Sequence, residues 1–135
     1  MNIQTTNMSL NKIIDELIIL FKKKEFNLVI EKAKEKTKEF PESFELYNLI
    51  GITFAEIKNI EQSVKYYKKA LVVNPKNFIS DFYLGSLYHD NNDLLNALKH
   101  YTKSTNLNPK YLNAWFNLGV AYYENNNSLE AINSY

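Results

Sequence analysis

The sequence predicts an all-α chain assembled as an array of helix pairs. Three observations carry this. Proline occurs only at Pro41, Pro75 and Pro109, and glycine only at Gly51, Gly85 and Gly119, so both keep a period of 34 residues. A fixed period of this size marks a repeat array, in which each unit buries its apolar face on its neighbours. Within a period, apolar residues recur three or four apart, which is one face of a helix. A short polar break then divides each period into two such helices.

Taken in order, residues 1–9 are polar and without period, and predict a loose tail with Ser9 as N-cap of the first helix. Residues 10–43 form a degenerate capping repeat, with helices over Leu10–Lys24 and Asn27–Glu39. Ile13, Ile14, Leu17, Ile18, Leu20 and Phe21 fit helical spacing, and Asp15 and Glu16 interrupt a run too short to span a bilayer. This reads as a folded helix in a cytoplasmic protein. Pairs such as Glu31–Lys34 and Glu35–Lys38 lie three apart and predict a solvated face on the second helix, which Pro41 ends.

Residues 44–77 are the first full unit: Tyr47, Ile50, Phe54 and Ile57, a break at Lys58–Asn59, then Ile60, Val64, Tyr67 and Leu71. Residues 78–111 repeat it with Phe82, Leu84 and Tyr88, the turn Asp90–Asp93, then Leu94, Leu98, Tyr101 and Leu107. Residues 112–135 begin a third time with Trp115, Leu118 and Tyr122, with a turn expected at Asn125–Asn127 and a second helix from Leu129. Tyr135 aligns with Tyr101 and Tyr67, which sit mid-helix, so this last unit is truncated in its second helix. The expectation is an uncapped end that frays or self-associates.

Small residues allow the helices to approach. A helical glycine costs about 1 kcal/mol against alanine, so three in one register require a compensating close contact. Ser63, Ala97 and Ala131 stand opposite on the second helices, with Ala70 and Ser104 further along. Asn92 and Asn126 occupy the turn position, where asparagine tolerates a left-handed backbone. Lys24 and Lys58 are poorer choices there, and predict turns of a different shape.

Composition removes several function classes. Net charge is +1, and all 16 basic residues are lysine, which argues against nucleic acid as partner and removes the arginine fork that grips phosphate and carboxylate. There is no cysteine, hence no thiolate zinc site or cysteine nucleophile. His89 and His100 lie eleven apart on different helices, without metal-pair spacing, and Asp90–Asp93 lacks the glycine and glutamate of a calcium loop. No phosphate-cradling glycine motif occurs, and Ser63 and Ser104 read as packing residues. No cofactor, metal or catalytic constellation is expected, and no membrane partner.

The recurring residues resemble a tetratricopeptide repeat. Trp115, Leu118, Gly119, Tyr122, Ala131 and Tyr135 match its pattern best. Tyr47, Ile50, Gly51, Phe54, Ser63, Tyr67, Ala70 and Pro75 match it in the first full unit, and Leu84, Gly85, Tyr88, Ala97, Tyr101, Ser104 and Pro109 in the second. Asp81 replaces the usual aromatic, and in the degenerate unit Leu17, Val29 and Lys36 replace small residues.

The resemblance implies a right-handed superhelix (an α-solenoid) of antiparallel helix pairs, with a concave groove lined by the first helix of each unit. Carrying the family's groove positions over names Asn48 and Ile52, then Phe82, Tyr83, Ser86 and His89, then Asn113, Phe116, Asn117 and Tyr123 as binding residues. Glu45, Leu49, Ala55, Glu56, Ile79, Asp90, Val120 and Glu124 complete that face. Aromatic, amide-bearing and mildly acidic, it suits an extended peptide.

Among sub-types of the family, one clamps a terminal carboxylate with cations. Here those positions read Asn48, Ile52, Tyr83, Asn113 and Asn117, none of them cationic. Another carries an asparagine ladder, as in the repeat arm of protein O-GlcNAc transferases; Asn117 matches it, while Leu49 and Tyr83 do not. The expected function is a non-catalytic scaffold for a protein or peptide. The alternative is the N-terminal substrate-recognition arm of a larger bacterial glycosyltransferase or sulfotransferase whose catalytic domain lies beyond residue 135.

Overall fold

The computed structural model describes residues 3–134, and side chains over 9–127. All its regular structure among these residues is helical. The chain divides into two compact units, Met1–Asn74 and Pro75–Tyr135.

The first unit holds α1 (Ile3–Lys22), α2 (Phe26–Glu39), α3 (Phe44–Glu56) and α4 (Ile60–Val73). α1 begins at Ile3, so residues 3–9 are helical and Ser9 lies inside the helix, not at its cap. The reason is cooperative: once the apolar turns of α1 are docked, each added residue gains a backbone hydrogen bond at little cost.

α3 and α4 show what the glycine register is for. The Tyr67 ring lies directly over Gly51, where an added Cβ would meet its Cε1 at 2.6 Å. Ser63, fully buried, donates its hydroxyl to the Gly51 carbonyl at 2.7 Å. In the degenerate pair the same two registers hold Leu17 and Ala33, both buried in one core with Val29, Ile50 and Phe54. Bulk has moved from the second helix to the first, and the summed volume is kept, which is what a close-packed interior tolerates.

The second unit holds α5 (Phe78–Asp90), α6 (Leu94–Leu107) and α7 (Leu112–Ser134). Tyr101 covers Gly85 as Tyr67 covers Gly51, with an added Cβ at 2.5 Å from its Cδ1. Ala97, Tyr101, Leu118 and Ala121 form the core, with Phe82, Tyr88 and Leu98 packed against it. α7 departs from the expectation. It passes without a turn through Asn125–Asn127, and no second helix starts at Leu129. Among the described residues nothing lies within 4 Å of a Cβ added at Gly119. Staying helical keeps the hydrogen-bond ladder, and asparagine in a helix costs well under about 1 kcal/mol each.

Caps and turns keep the period too. Ser43 and Asn77 accept N-terminal amides of α3 and α5, from Leu46 and Ser80. Asn59 and Asp93 do so for α4 and α6, from Gln62 and Asn96. Each such cap is worth about 1 kcal/mol. The turns at Lys24, Lys58 and Asn92 have one shape, with φ of 63°, 65° and 62°. In each, the next amide returns to the carbonyl five residues back: Glu25 to Leu20, Asn59 to Phe54 and Asp93 to Tyr88. The two lysine turns therefore do not differ, because the helix pair imposes the left-handed backbone and lysine bears its strain.

Candidate functional site

The residues named from the sequence fall into three settings. In the first unit, Asn48 is buried on α3 and Ile52 is half-buried. In the second unit, Phe82 and Tyr83 on α5 form an aromatic cluster with Tyr111, whose ring centroid lies 5.1 Å from that of Phe82. Phe82 also packs on the core, so it is structural on one side. Burial pushes the Tyr83 hydroxyl pKa up, with Tyr111 adding to the shift.

The third setting is a polar network between α5 and α7, centred on the Tyr101 hydroxyl. Tyr101 donates to Ser86 Oγ at 3.3 Å, and its oxygen lies 3.4 Å from His89 Nδ1. Asn117 also hydrogen-bonds this hydroxyl. His89 Nε2 lies 2.7 Å from Glu124 Oε2, which ties α5 to α7. An ionised carboxylate only accepts, so Glu124 holds the ring proton on Nε2. Burial raises the Tyr101 pKa; the Ser86 and Asn117 hydrogen bonds oppose that, and the Asp90 and Glu124 charges add to it.

The structure thus brings Ser86, His89 and Asn117 together. Tyr101 joins them although the sequence reads it only as a packing residue. The signal was there: a tyrosine lying across a glycine must carry its hydroxyl past that helix to the far face.

Beside the network, Asn113, Phe116, Asn117, Val120, Tyr123 and Glu124 share one face of α7 by their spacing. Phe116 is 72% exposed and Tyr123 69% exposed. Neither α3, α5 nor α7 contains a lysine. A broad open cleft of about 920 Å³ in the first unit, lined by residues including Phe40, Phe44 and Val72, contains none of the named binding residues.

Asp81 is the other departure from the pattern. It is fully buried. Its Oδ1 accepts from His100 Nδ1 at 2.9 Å, and Lys103 Nζ is 3.7 Å from Oδ2, which no hydrogen bond reaches among the described residues. In register these positions are Tyr47 and Tyr66, whose rings stack at 6.5 Å. An aromatic pair has become a hydrogen-bonded imidazole–carboxylate pair, and His100, which the sequence leaves without a role, is the compensating half. Its ring still stacks on Tyr88 at 5.6 Å, as Tyr66 does on Phe54 at 5.8 Å.

Helix pairs repeating every 34 residues, with tyrosine over glycine at each closed interface, define an all-α repeat-array protein. Known proteins place it further. Sequence models described as "TPR repeat" and "Tetratricopeptide repeat" match residues 85–126 and 44–77, together more than half of the chain. The chain belongs to the tetratricopeptide-repeat family. A TPR repeat-containing protein of Borreliella burgdorferi is 38% identical over 39 residues, which span 29% of this chain and only 17% of that protein. Among solved structures, MamA superposes with a TM-score of 0.77 at 20% identity, covering 91% of this chain and 72% of that one. The first TPR of Spaghetti (RPAP3) bound to the HSP90 peptide SRMEEVD gives 0.76 at 15% identity, covering 83% of this chain and 89% of that one. These likenesses establish the fold. Among the described residues no helix is long and apolar enough to cross a membrane.

Proposed function

We propose that this chain is a non-catalytic protein-interaction scaffold, and that its second unit holds an extended peptide on the α5–α7 face. The observation that carries the reading is the juxtaposition of the Ser86–His89–Asn117–Tyr101 network with the exposed rings of Phe116 and Tyr123. Amide and hydroxyl groups there can pair with a peptide backbone, and the rings can seat its side chains.

Charge narrows the partner. The peptide on the Spaghetti domain carries two glutamates and an aspartate. Here α5 and α7 contain no lysine, while Asp90 and Glu124 place carboxylates at the face. An acidic terminus would meet like charge, so the fitting partner is a neutral or basic segment.

A peptide library selected against the chain tests this. It should enrich neutral and basic sequences with apolar anchors. Phe116→Ala with Tyr123→Ala should weaken a selected peptide about thirtyfold, the loss of a hot spot of about 2 kcal/mol. Enrichment of acidic C-termini, or unchanged affinity in that variant, would refute the assignment.

A further inference from the structure

The first unit gathers three cations on one ring. From α4, Lys69 Nζ lies 4.8 Å and Lys65 Nζ 5.8 Å from the centroid of the Tyr66 ring. From α2, Lys34 Nζ lies 5.6 Å from the same centroid and 5.3 Å from that of Phe54. The floor beneath them is fixed, because Tyr66 and Phe54 are both buried and stack on each other at 5.8 Å.

Carboxylates stand within sequence reach of these lysines and do not pair with them. Spacing offers Glu31 to Lys34 and Glu61 to Lys65. Yet the only ion pair of the first unit among the described residues is Lys36 with Glu39, at 3.5 Å. The second unit shows what is missing. Lys103 is in register with Lys69, and it stands 3.7 Å from the buried Asp81 carboxylate. In the place of Asp81 the first unit has Tyr47. One unit thus gives that lysine an internal anion, and the other gives it a ring. A ring face attracts cations but neutralises no charge, and ammoniums gathered around one ring repel one another.

We propose that Lys34, Lys65 and Lys69 form an oxyanion site that receives a phosphoryl group. The match is in charge and in number. A phosphoryl group on a hydroxyl carries about −1.5 to −2 charge and three strong acceptor oxygens, set against three ammoniums. Lysine meets it as a point charge and does not need the planar fork of arginine, which this chain lacks. A carboxylate brings one charge and two oxygens, and leaves part of the cluster unmet. The four-carbon arms let the ammoniums close on the anion while their stems stay on the aromatic floor. A long polyanion fits less well, because a net charge of +1 gives the chain no broad positive field. The site stands on α2 and α4 and is independent of the α5–α7 face, whose helices bear no lysine.

Inorganic phosphate titrated into the full chain at low ionic strength, followed by NMR, tests this. Side-chain signals of Lys34, Lys65, Lys69 and the Tyr66 ring should shift together and saturate. Acetate should bind about tenfold more weakly or worse. Lys34→Ala and Lys69→Ala should each weaken phosphate about tenfold, the loss of one charge-assisted contact. Lys12→Ala and Lys110→Ala, at exposed lysines elsewhere, should leave it unchanged. A short phosphoserine peptide with glycine flanks separates the sources. Affinity about tenfold above that of inorganic phosphate marks a phosphorylated side chain of a partner protein, and equal affinity marks a small free anion. Shifts that rise without saturating would overturn the proposal. So would acetate binding as tightly as phosphate, or an equal loss in the Lys12 and Lys110 variants.

Discussion

The glycine register offers a sharp test, because the same substitution should have opposite signs at two places. Alanine is favoured over glycine in a helix by about 1 kcal/mol. At Gly85 its methyl would lie 2.5, 2.7 and 3.0 Å from three ring carbons of Tyr101. Comfortable carbon–carbon separations begin at about 3.5 Å, so the ring must retreat by roughly 1 Å. It has little freedom to do so: Tyr101 is 1% exposed, its hydroxyl is held by Ser86 and His89, and its ring contacts Phe82. Overpacking of this kind costs about 1–3 kcal/mol, and disturbing the hydroxyl network about 1 more. Set against the helical gain, Gly85→Ala should destabilise the second unit by about 2 kcal/mol.

At Gly119 the methyl meets nothing among the described residues, so only the helical gain remains. The comparison belongs in a Tyr135→Ala background, which removes the tyrosine in register with Gly119. There Gly119→Ala should stabilise by about 1 kcal/mol. Urea unfolding followed by Trp115 fluorescence reads the second unit selectively, since that tryptophan is the only one. Equal shifts of the same sign for the two variants would refute the claim that close tyrosine contact is what selects glycine.

The Asp81–His100 pair yields a second prediction. His100→Ala strands the buried Asp81 carboxylate with only the distant Lys103, and should cost about 3 kcal/mol, whereas Asp81→Tyr with His100→Tyr restores the pair of the first full unit and should return stability to wild type or above in urea melts. A third concerns the strained turns: Lys58→Gly relieves a residue at φ 65° and should raise the urea midpoint by an amount worth about 1 kcal/mol. A fourth concerns pH. The Tyr83 and Tyr101 hydroxyls titrate above their ordinary 10.0 in the folded chain. The stability this supplies is fully present below that value and is lost as pH rises through the folded values, so Tyr83→Phe with Tyr101→Phe should flatten the alkaline fall in urea midpoint.

The sequence made the helix pairs legible because glycine, proline and tyrosine are each held in phase by a contact that recurs. Where a position is set by one contact, its residue type reports it: glycine under tyrosine at 51 and 85 is the plainest case. At Lys24 and Lys58 the intrinsic preference of lysine does not report the backbone, because the hydrogen bonds of the whole turn decide it. Ser9 and Asn125–Asn127 misled for the converse reason. They are good cap and turn residues, but a helix continues through either when nothing packs against the alternative. At the site, residue identity alone could not show that Tyr101 reaches the face from the helix behind. Nor could it show that Asp81 and His100 answer each other across 19 positions, although Tyr47 and Tyr66 occupy the same two registers.

The distribution of lysine links the packing register to function. α4 carries Lys65, Lys68 and Lys69, and α6 carries Lys99 and Lys103, while α3, α5 and α7 carry none. Packing does not require this. The exposed positions of α7, among them Asn113 and Phe116, would accept lysine without steric cost and with good helix propensity. Solubility would favour charge there over an exposed phenylalanine. The first helices of the full units thus forgo the cheapest solubilising residue while displaying rings and amides. A face that displays rings and amides and carries no lysine, against both propensity and solubility, fits the proposed binding of a neutral or basic chain. Asn113→Lys with Phe116→Lys should therefore leave the helical content unchanged and abolish peptide capture. Capture that survives both lysines would show that the partner docks on another face.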